Sequence, residues 1–357
     1  MAVVPFLTRR DLYKAGLEVF HRTGMDRVFS DQWRGMGGIL MFHRVEDLPA
    51  NEFHPNRNLS VSPAFFEQVL DFIEASGLEV VSLDEVHRRL VEGYDGDRRF
   101  VALTFDDGFI DNYTTAYPVL KKRGMPFTIY VATGLIDNTL EMWWVALETI
   151  IRDQNEVVAE LPGETLTFDC STKAGKAQAY RQLGDRIATH VSEDEQRRFV
   201  ERFAERYGLD LEALCAREGM TWDQVRELDA DPLVTIGGHT EKHHALARLD
   251  REAMLADIQS GIDRLTEKLG HGPQHFAYPY GLPSVAGPRE FDAAKAFGFK
   301  TAVTTRPGVL FPEHRDHLTA LPRVSVNGEF QQIRYLEMLL AGWPFALFNR
   351  FRKLNVA

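Results

Sequence analysis

Phe100-Val101-Ala102-Leu103-Thr104-Phe105-Asp106-Asp107-Gly108 is the stretch on which the fold class turns. The apolar run from Phe100 has no polar alternation, which reads as a strand covered on both faces, as strands of parallel sheets are. It breaks into two adjacent acids and a glycine, and in parallel α/β barrels such strand ends gather at the face where sites form.

Outward from this strand the pattern repeats. Upstream, Gly35, Gly37 and Gly38 break the chain before the apolar run Ile39-Leu40-Met41-Phe42-His43, and helices are expected from about Pro63 to Glu74 and Leu83 to Val91, with a short strand near Val80 between them. Downstream come a helix over about 112–122, bent or capped by Pro118, and strands at Phe127–Val131, Leu233–Gly237, His275–Tyr278 and Thr301–Val303. Helices are expected at Arg251–Leu269 and near Phe291–Phe297. Strands alternating with helices imply a parallel sheet.

Residues from about 137 to 230 differ: they are charged, read as mostly helical apart from a weak stretch near Leu166, and are taken as an insertion between barrel strands. Trp143 and Trp144 within it are expected to anchor a helix in the core, the alternative being a substrate groove. An amphipathic helix is expected over residues 9–28. The domain is placed at 36–327, with a helical extension at 1–35 and an amphipathic helical segment at 328–357.

The 357 residues are 44% hydrophobic and 26% charged, the balance of a globular chain able to bury a large core. A formal charge of −11 argues against nucleic acid as a partner, because phosphate binding needs clustered Lys and Arg. The only two cysteines, Cys170 and Cys215, are too far apart in sequence for a CxxC metal site and read as ordinary thiols. The apolar start of MAVVPFLTRRDLYKAG is interrupted at Thr8, Arg9 and Arg10, so no secretory signal is recognised and a cytoplasmic location is expected. Phe330–Leu354 mixes Trp343, Phe345, Phe348 and Phe351 with Arg350, Arg352 and Lys353. Packing on the barrel is expected of it, with peripheral association on the inner face of a membrane as the alternative.

Two constellations carry chemistry. Two carboxylates side by side, Asp106 and Asp107, are costly near an interior unless a cation adjoins them. Alone they are also ordinary turn chemistry, with Asp111 available to cap the next helix. The second is His239-Thr240-Glu241-Lys242-His243, again after an apolar strand. Imidazoles four apart on a helical turn share a face and reach one ion, while the neighbouring His244 points away. Two histidines and one carboxylate leave a position open for water, and the second carboxylate is then free to act as general base: a hydrolase site.

With TFDDG at 104–108, GGHTEKH at 237–243 and FAYPYG at 276–281, the chain resembles the polysaccharide deacetylases of the NodB-homology type over roughly residues 36–327. The resemblance implies a distorted (β/α)7-type barrel and a divalent ion, zinc by default with cobalt, nickel or iron able to take the same ligands. It makes Asp106 the general base and Asp107, His239 and His243 the metal ligands. It also places Pro279, Tyr280 and Gly281 at the substrate, with the Tyr280 N–H as oxyanion donor.

Two departures stand out. The family's arginine ahead of the third motif's proline is Ala277 here, and Arg323 is the candidate to replace it, a surface salt bridge being the other reading. The family's C-terminal histidine, the general acid, is missing from Arg323–Asn327. His43, in a segment resembling the N-terminal motif of the poly-N-acetylglucosamine deacetylases, is the candidate acid, while His54 is expected to be structural or exposed. The expected activity is therefore removal of N-acetyl groups from amino sugars of a polysaccharide, oligosaccharide or lipid-linked precursor. The alternatives are an impaired, metal-containing carbohydrate-binding protein and a glycosidase using both aspartates, whose adjacency is hard to reconcile with the spacing of about 5 Å or more such enzymes need. Oligomeric state is not legible.

Overall fold

The computed structural model describes residues 30–356 apart from Asn51, so the helix expected at 9–28 lies outside the described residues. The apolar runs form seven parallel strands: β1 (Gly37–Phe42), β2 (Phe100–Phe105), β3 (Phe127–Val131), β4 (Val234–Gly238), β5 (His275–Ala277), β6 (Thr301–Pro307) and β7 (Leu321–Ser325). Around the ring they run β1-β7-β6-β5-β4-β3-β2, and β2 pairs back onto β1, residue for residue from Gly37 with Phe100 to Phe42 with Phe105. The barrel is thus closed and seven-stranded. Glu79–Val80 pairs with Phe100 and Val101 at the start of β2.

Continuous burial explains the unbroken apolar runs: every residue of β1 and of β2 is buried. Alternate residues go to different sides. Ile39, Ala102, Tyr130, Ala277, Val303 and Leu321 pack together as one cluster, while Leu40, Phe42, Val101, Leu103 and Phe105 join the larger cluster formed with the helices. Gly37 and Gly38 begin β1 rather than breaking the chain before it; a Cβ at Gly37 would come within 2.3 Å of the Phe100 carbonyl oxygen.

The α-helices longer than four residues are α1 (Pro63–Ala75), α2 (Leu83–Glu92), α3 (Tyr117–Arg123), α4 (Trp143–Asp153), α5 (Lys173–Thr189), α6 (Glu193–Tyr207), α7 (Leu211–Glu218), α8 (Trp222–Asp229), α9 (Arg251–Leu269), α10 (Pro288–Ala296), α11 (Ile333–Leu340) and α12 (Trp343–Phe348). α1 shows the local logic: Ser62 accepts from the Phe65 N–H, Pro63 opens the first turn, and Phe65, Phe66, Val69, Leu70 and Ile73 supply the buried stripe. Pro118 likewise lies in the first turn of α3, after a π-helical turn at Asn112–Ala116.

Two segments differ from the sequence reading. The region between β3 and β4 holds α4–α8 but also an antiparallel hairpin, Glu156–Leu161 with Glu164–Asp169. Its signal is the alternation of buried Val157, Ala159 and Leu161, masked by the interleaved Glu156 and Glu160. At the C-terminus two short helices replace one amphipathic segment: α11 lies against α1, and Trp343, Phe345 and Ala346 of α12 are buried. No helix among the described residues is long and apolar enough to cross a membrane.

Candidate metal and hydrolytic site

The site is built where strands β1, β2, β4 and β5 end, with Arg323 reaching in from the middle of β7. Asp106 still donates its N–H to the Phe42 carbonyl, extending the ladder by one residue, and Asp107 then turns the chain at φ 76°. His239 similarly donates its N–H to Val131 at the end of β3, before Thr240 at φ 61° and His243 at φ 51°. With Tyr280 at φ 59°, four of the seven non-glycine residues in the left-handed region among those described sit here. Such backbone persists only where the surroundings enforce it, and it clusters at functional sites.

This corrects the helical reading of His239 and His243. Residues 239–243 form a bend, not a helical turn. The two imidazoles meet because the left-handed residues fold the loop back, closed by a 2.9 Å hydrogen bond from the His243 N–H to the Thr240 hydroxyl. Their ring centroids are 4.9 Å apart.

The donor set fits a divalent cation. The Nε2 atoms of His239 and His243 lie 3.2 and 3.3 Å from the same Asp107 Oδ1. Donors around a tetrahedral ion at 2.0–2.2 Å are roughly 3.3–3.6 Å apart, so these are edges of such a tetrahedron. That Oδ1 is buried and takes no hydrogen bond, which indicates that neither imidazole is aimed at it as a donor. His239 Nδ1 bonds the Ala277 carbonyl at 2.7 Å, so it carries the proton and leaves Nε2 bare for an ion. Burial pushes the Asp107 carboxyl up, but the adjoining imidazoles of His239 and His243 outweigh it and hold it well below the usual range. Burial also disfavours charge on both imidazoles: it wins on His243, whose pKa falls, and loses to Asp107 on His239, whose pKa rises.

Asp106 stands outside this triad with a partner of its own. Arg323, 1% exposed on β7, donates to both its oxygens, Nη1 to Oδ1 and Nη2 to Oδ2, each at 2.7 Å. Its Nε is fixed on the Thr304 carbonyl at 2.8 Å. This is a buried bidentate pair, not a surface salt bridge. Burial would raise the Asp106 pKa; Arg323 overcomes that and lowers it. His43 directs Nε2 to within 3.8 Å of Asp106 Oδ2 and is partly open to solvent.

His43, Asp106, Asp107, His239 and His243 line an open cleft of about 190 Å³ with Asn56, Asn58, Leu59, Trp143, Trp144, Tyr180, Tyr280 and Thr305. Pro279 and Gly281 flank Tyr280 in a tight turn closed by a 2.7 Å bond from the Gly281 N–H to the Pro279 carbonyl. Gly281 is at φ 55°, and a Cβ there would meet the Thr305 nitrogen at 2.5 Å. Thr305 Oγ1 donates to the Tyr280 carbonyl, fixing the peptide whose neighbouring N–H the family resemblance singles out. The reading of Trp143 and Trp144 as core alone is also corrected. The Trp144 ring lies 5.1 Å from that of His243, and Trp143 Nε1 donates to the Tyr280 hydroxyl at 2.9 Å. Nothing in the local sequence separates such a wall from core packing; Asn56 and Tyr180, joined by a hydrogen bond, were missed for the same reason.

Other candidates have different duties. Asp111 makes no cap; it accepts from the Val45 N–H and Arg44 Nε. His54 is held by Glu148 at 2.9 Å. His244 turns from the triad to Asp257, whose Oδ1 also accepts the N–H groups of Glu241 and Lys242. Arg197 of α6 donates to His244 Nε2 and to the Lys242 carbonyl. The loop carrying His243 is thus pinned from behind by α9 and by the insertion.

Solved structures with this architecture include a Streptococcus pyogenes deacetylase, PplD, in complex with acetate, at 21% identity over 85% of this chain and 97% of that one, with a TM-score of 0.55. IcaB from Ammonifex degensii matches at 20% identity over 86% and 97%, with a TM-score of 0.54. In sequence, YxkH of Bacillus subtilis (strain 168), named as a protein of the same family, is 33% identical over 93 residues, which is 26% of this chain and only 30% of that relative. The model of the family described as polysaccharide deacetylase matches residues 93–302, the span that runs from before the adjacent aspartates, through the paired histidines, to the start of β6. The chain belongs to the polysaccharide deacetylase family.

Proposed function

We propose that this chain is a divalent-metal-dependent hydrolase that removes N-acetyl groups from amino-sugar residues of a glycan and releases acetate. The observation that carries the reading is the division of labour between adjacent aspartates: Asp107 adjoins two imidazoles, whereas Asp106 is left to Arg323. Asp107, His239 and His243 would hold the ion, zinc by the default for two imidazoles and a carboxylate, and it would supply Lewis acidity toward the acetamide carbonyl and acidify water. Cobalt, nickel and iron suit the same donors.

The chain's own groups do the rest. Asp106 takes the proton of the attacking water, and Arg323 holds that carboxylate ionised and oriented beforehand. The Tyr280 N–H donates to the oxygen that becomes negative as the carbonyl carbon turns tetrahedral. His43, at the cleft and near Asp106, gives a proton to the departing sugar amine. Trp144 and Tyr280 offer aromatic faces to the sugar.

An impaired carbohydrate-binding protein is the reading that the missing family arginine and histidine favour; Arg323 beside Asp106 and His43 in the cleft weigh against it. Acetate release from N-acetylglucosamine oligomers by purified protein is the test. Release that a chelator and Asp106→Asn each abolish supports the proposal. Tight oligomer binding with no release, at any of the four metals, sinks it.

A further inference from the structure

The C-terminal turn presents an apolar and cationic patch that the deacetylase reading does not use. α12 is fixed at its start by buried Trp343, Phe345 and Ala346, but Leu347, Phe348 and Phe351 are 46%, 64% and 66% exposed. Few other large apolar side chains among the described residues are exposed at all: Val91 and Leu282 stand alone elsewhere in the chain. Arg350, Arg352 and Lys353 alternate with them, are exposed, and take no carboxylate partner among the described residues. Beyond Glu337 the sequence contains no Asp or Glu, in a chain whose formal charge is −11. The segment is therefore a run of positive charge in an acidic protein, and the acids of the neighbouring turn, Glu313 and Asp316, form no ion pair with it.

Its geometry is held, not frayed. Arg350 and Phe351 both adopt left-handed backbone, at φ 53° and 60°, which non-glycine residues keep only under constraint. The constraint is visible: Asn349 and Asn355 both donate to the Pro307 carbonyl and bond each other at 3.0 Å. The Phe351 ring packs tilted against Trp33 at 6.2 Å, and Lys353 Nζ lies 5.2 Å from the centre of the Phe311 ring. Exposed aromatics beside cations without a carboxylate partner match an interface with an apolar interior and anionic headgroups, where stable attachment needs both signals.

We propose that Leu347, Phe348 and Phe351, with Arg350, Arg352 and Lys353, form a docking patch for an anionic lipid surface. Each basic residue multiplies partitioning onto such a surface by roughly 5, so three contribute on the order of 100-fold, and the rings add a part that salt does not screen. Full-length protein is sedimented with phosphatidylcholine vesicles, with and without phosphatidylglycerol. The expected result is recovery with the anionic vesicles alone. Arg350→Gln/Arg352→Gln/Lys353→Gln should lower it by about 100-fold and Phe348→Ser/Phe351→Ser by at least 10-fold, with far-UV circular dichroism and acetate release from a soluble oligomer unchanged. Wild-type protein left in solution with both vesicles overturns the proposal, as does undiminished binding by both variants. A dimer in sedimentation velocity that the same substitutions split, without vesicle binding, overturns it too and assigns the patch to a second copy of the chain.

Discussion

Replacing Arg323 by Met removes the guanidinium while keeping most of its volume, and the consequences can be worked from the pair it leaves behind. Asp106 and Arg323 are both buried and share two 2.7 Å bonds. At an effective dielectric near 20 their attraction is about 6 kcal/mol, of the order of what it costs to strip water from both. The intact pair is thus worth little net, but breaking it strands a buried carboxylate, at a cost of about 3–5 kcal/mol. Burial, the largest influence on the Asp106 pKa, would then act with its main opponent gone, so the acid would be held protonated and useless as a base. The assay is a double-mutant cycle in urea with Arg323→Met, Asp106→Asn and the pair, alongside acetate release. The single Arg323→Met variant should be destabilised by about 3–5 kcal/mol and lose at least 100-fold in kcat. The double variant should recover much of that stability, giving a coupling of at least about 2 kcal/mol, and none of the activity. A coupling under about 0.5 kcal/mol, or Arg323→Met with near-normal kcat, would refute the assignment of Arg323 as the partner that keeps Asp106 ionised.

Three further outcomes are expected. Zinc at 100 times its dissociation constant should stabilise the folded chain by about 2.7 kcal/mol, seen as a raised Tm that a chelator reverses and that His243→Ala abolishes; an unchanged Tm in all cases counts against the metal. Asp257→Asn should weaken metal affinity by about 10- to 100-fold while Asp257→Glu partly restores it, because Asp257 holds the Glu241, Lys242 and His244 side of the loop from which His243 projects. Titration of zinc by calorimetry reads this directly, and an unaltered affinity rejects the role. His314 is fully buried, accepts the Phe311 N–H on Nδ1, and has its pKa lowered to about 4 by burial. Because the unfolded chain binds its proton near pH 6.5 and the folded chain does not, stability should fall as pH drops from 6.5 to 4, by at most about 3 kcal/mol. His314→Asn, which keeps an acceptor for Phe311, should flatten that part of the pH–stability curve; curves parallel to wild type over this range would exclude the effect.

What the sequence made legible follows the range of the forces involved. The strands from β1 to β6 could be read because their apolar runs are covered on both faces, and the runs end at or near residues of the site. Adjacent acids and paired histidines also stand out, since like charges and imidazoles at a strand end are locally conspicuous. How His239 and His243 meet was misread, because spacing of four suggests a helix and the actual bend depends on left-handed Thr240 and His243, for which no glycine gives warning. Of the hairpin at 156–169 only the weak stretch near Leu166 is legible, because glutamates on the outer face of the first strand look like a helix surface. Trp143, Trp144, Tyr180 and Asn56 could not be assigned to the cleft, since their placement depends on how the insertion packs over the barrel mouth.

The arginine shows why a motif can lose a residue while the site keeps the charge. In the barrel, β1 lies between β2, which carries Asp106, and β7, which carries Arg323. A side chain from β7 reaches Asp106 across the barrel interior only if that space is vacant, and Arg323 is drawn through it past the Thr104 hydroxyl at 3.3 Å. The residue at the usual motif position, Ala277, is one of the smallest in the interior cluster and spends its carbonyl on His239 Nδ1. A long side chain at 277 and Arg323 would compete for the same volume and the same two carboxylate oxygens. Introducing Ala277→Arg should therefore destabilise the wild-type chain by crowding two guanidiniums, typically by about 1–3 kcal/mol from overpacking alone. The same change made together with Arg323→Ala should restore both stability and acetate release towards wild type. If Ala277→Arg is equally harmful in both backgrounds, the two positions do not exchange the role, and Arg323 serves Asp106 by a geometry that no residue on β5 can reproduce.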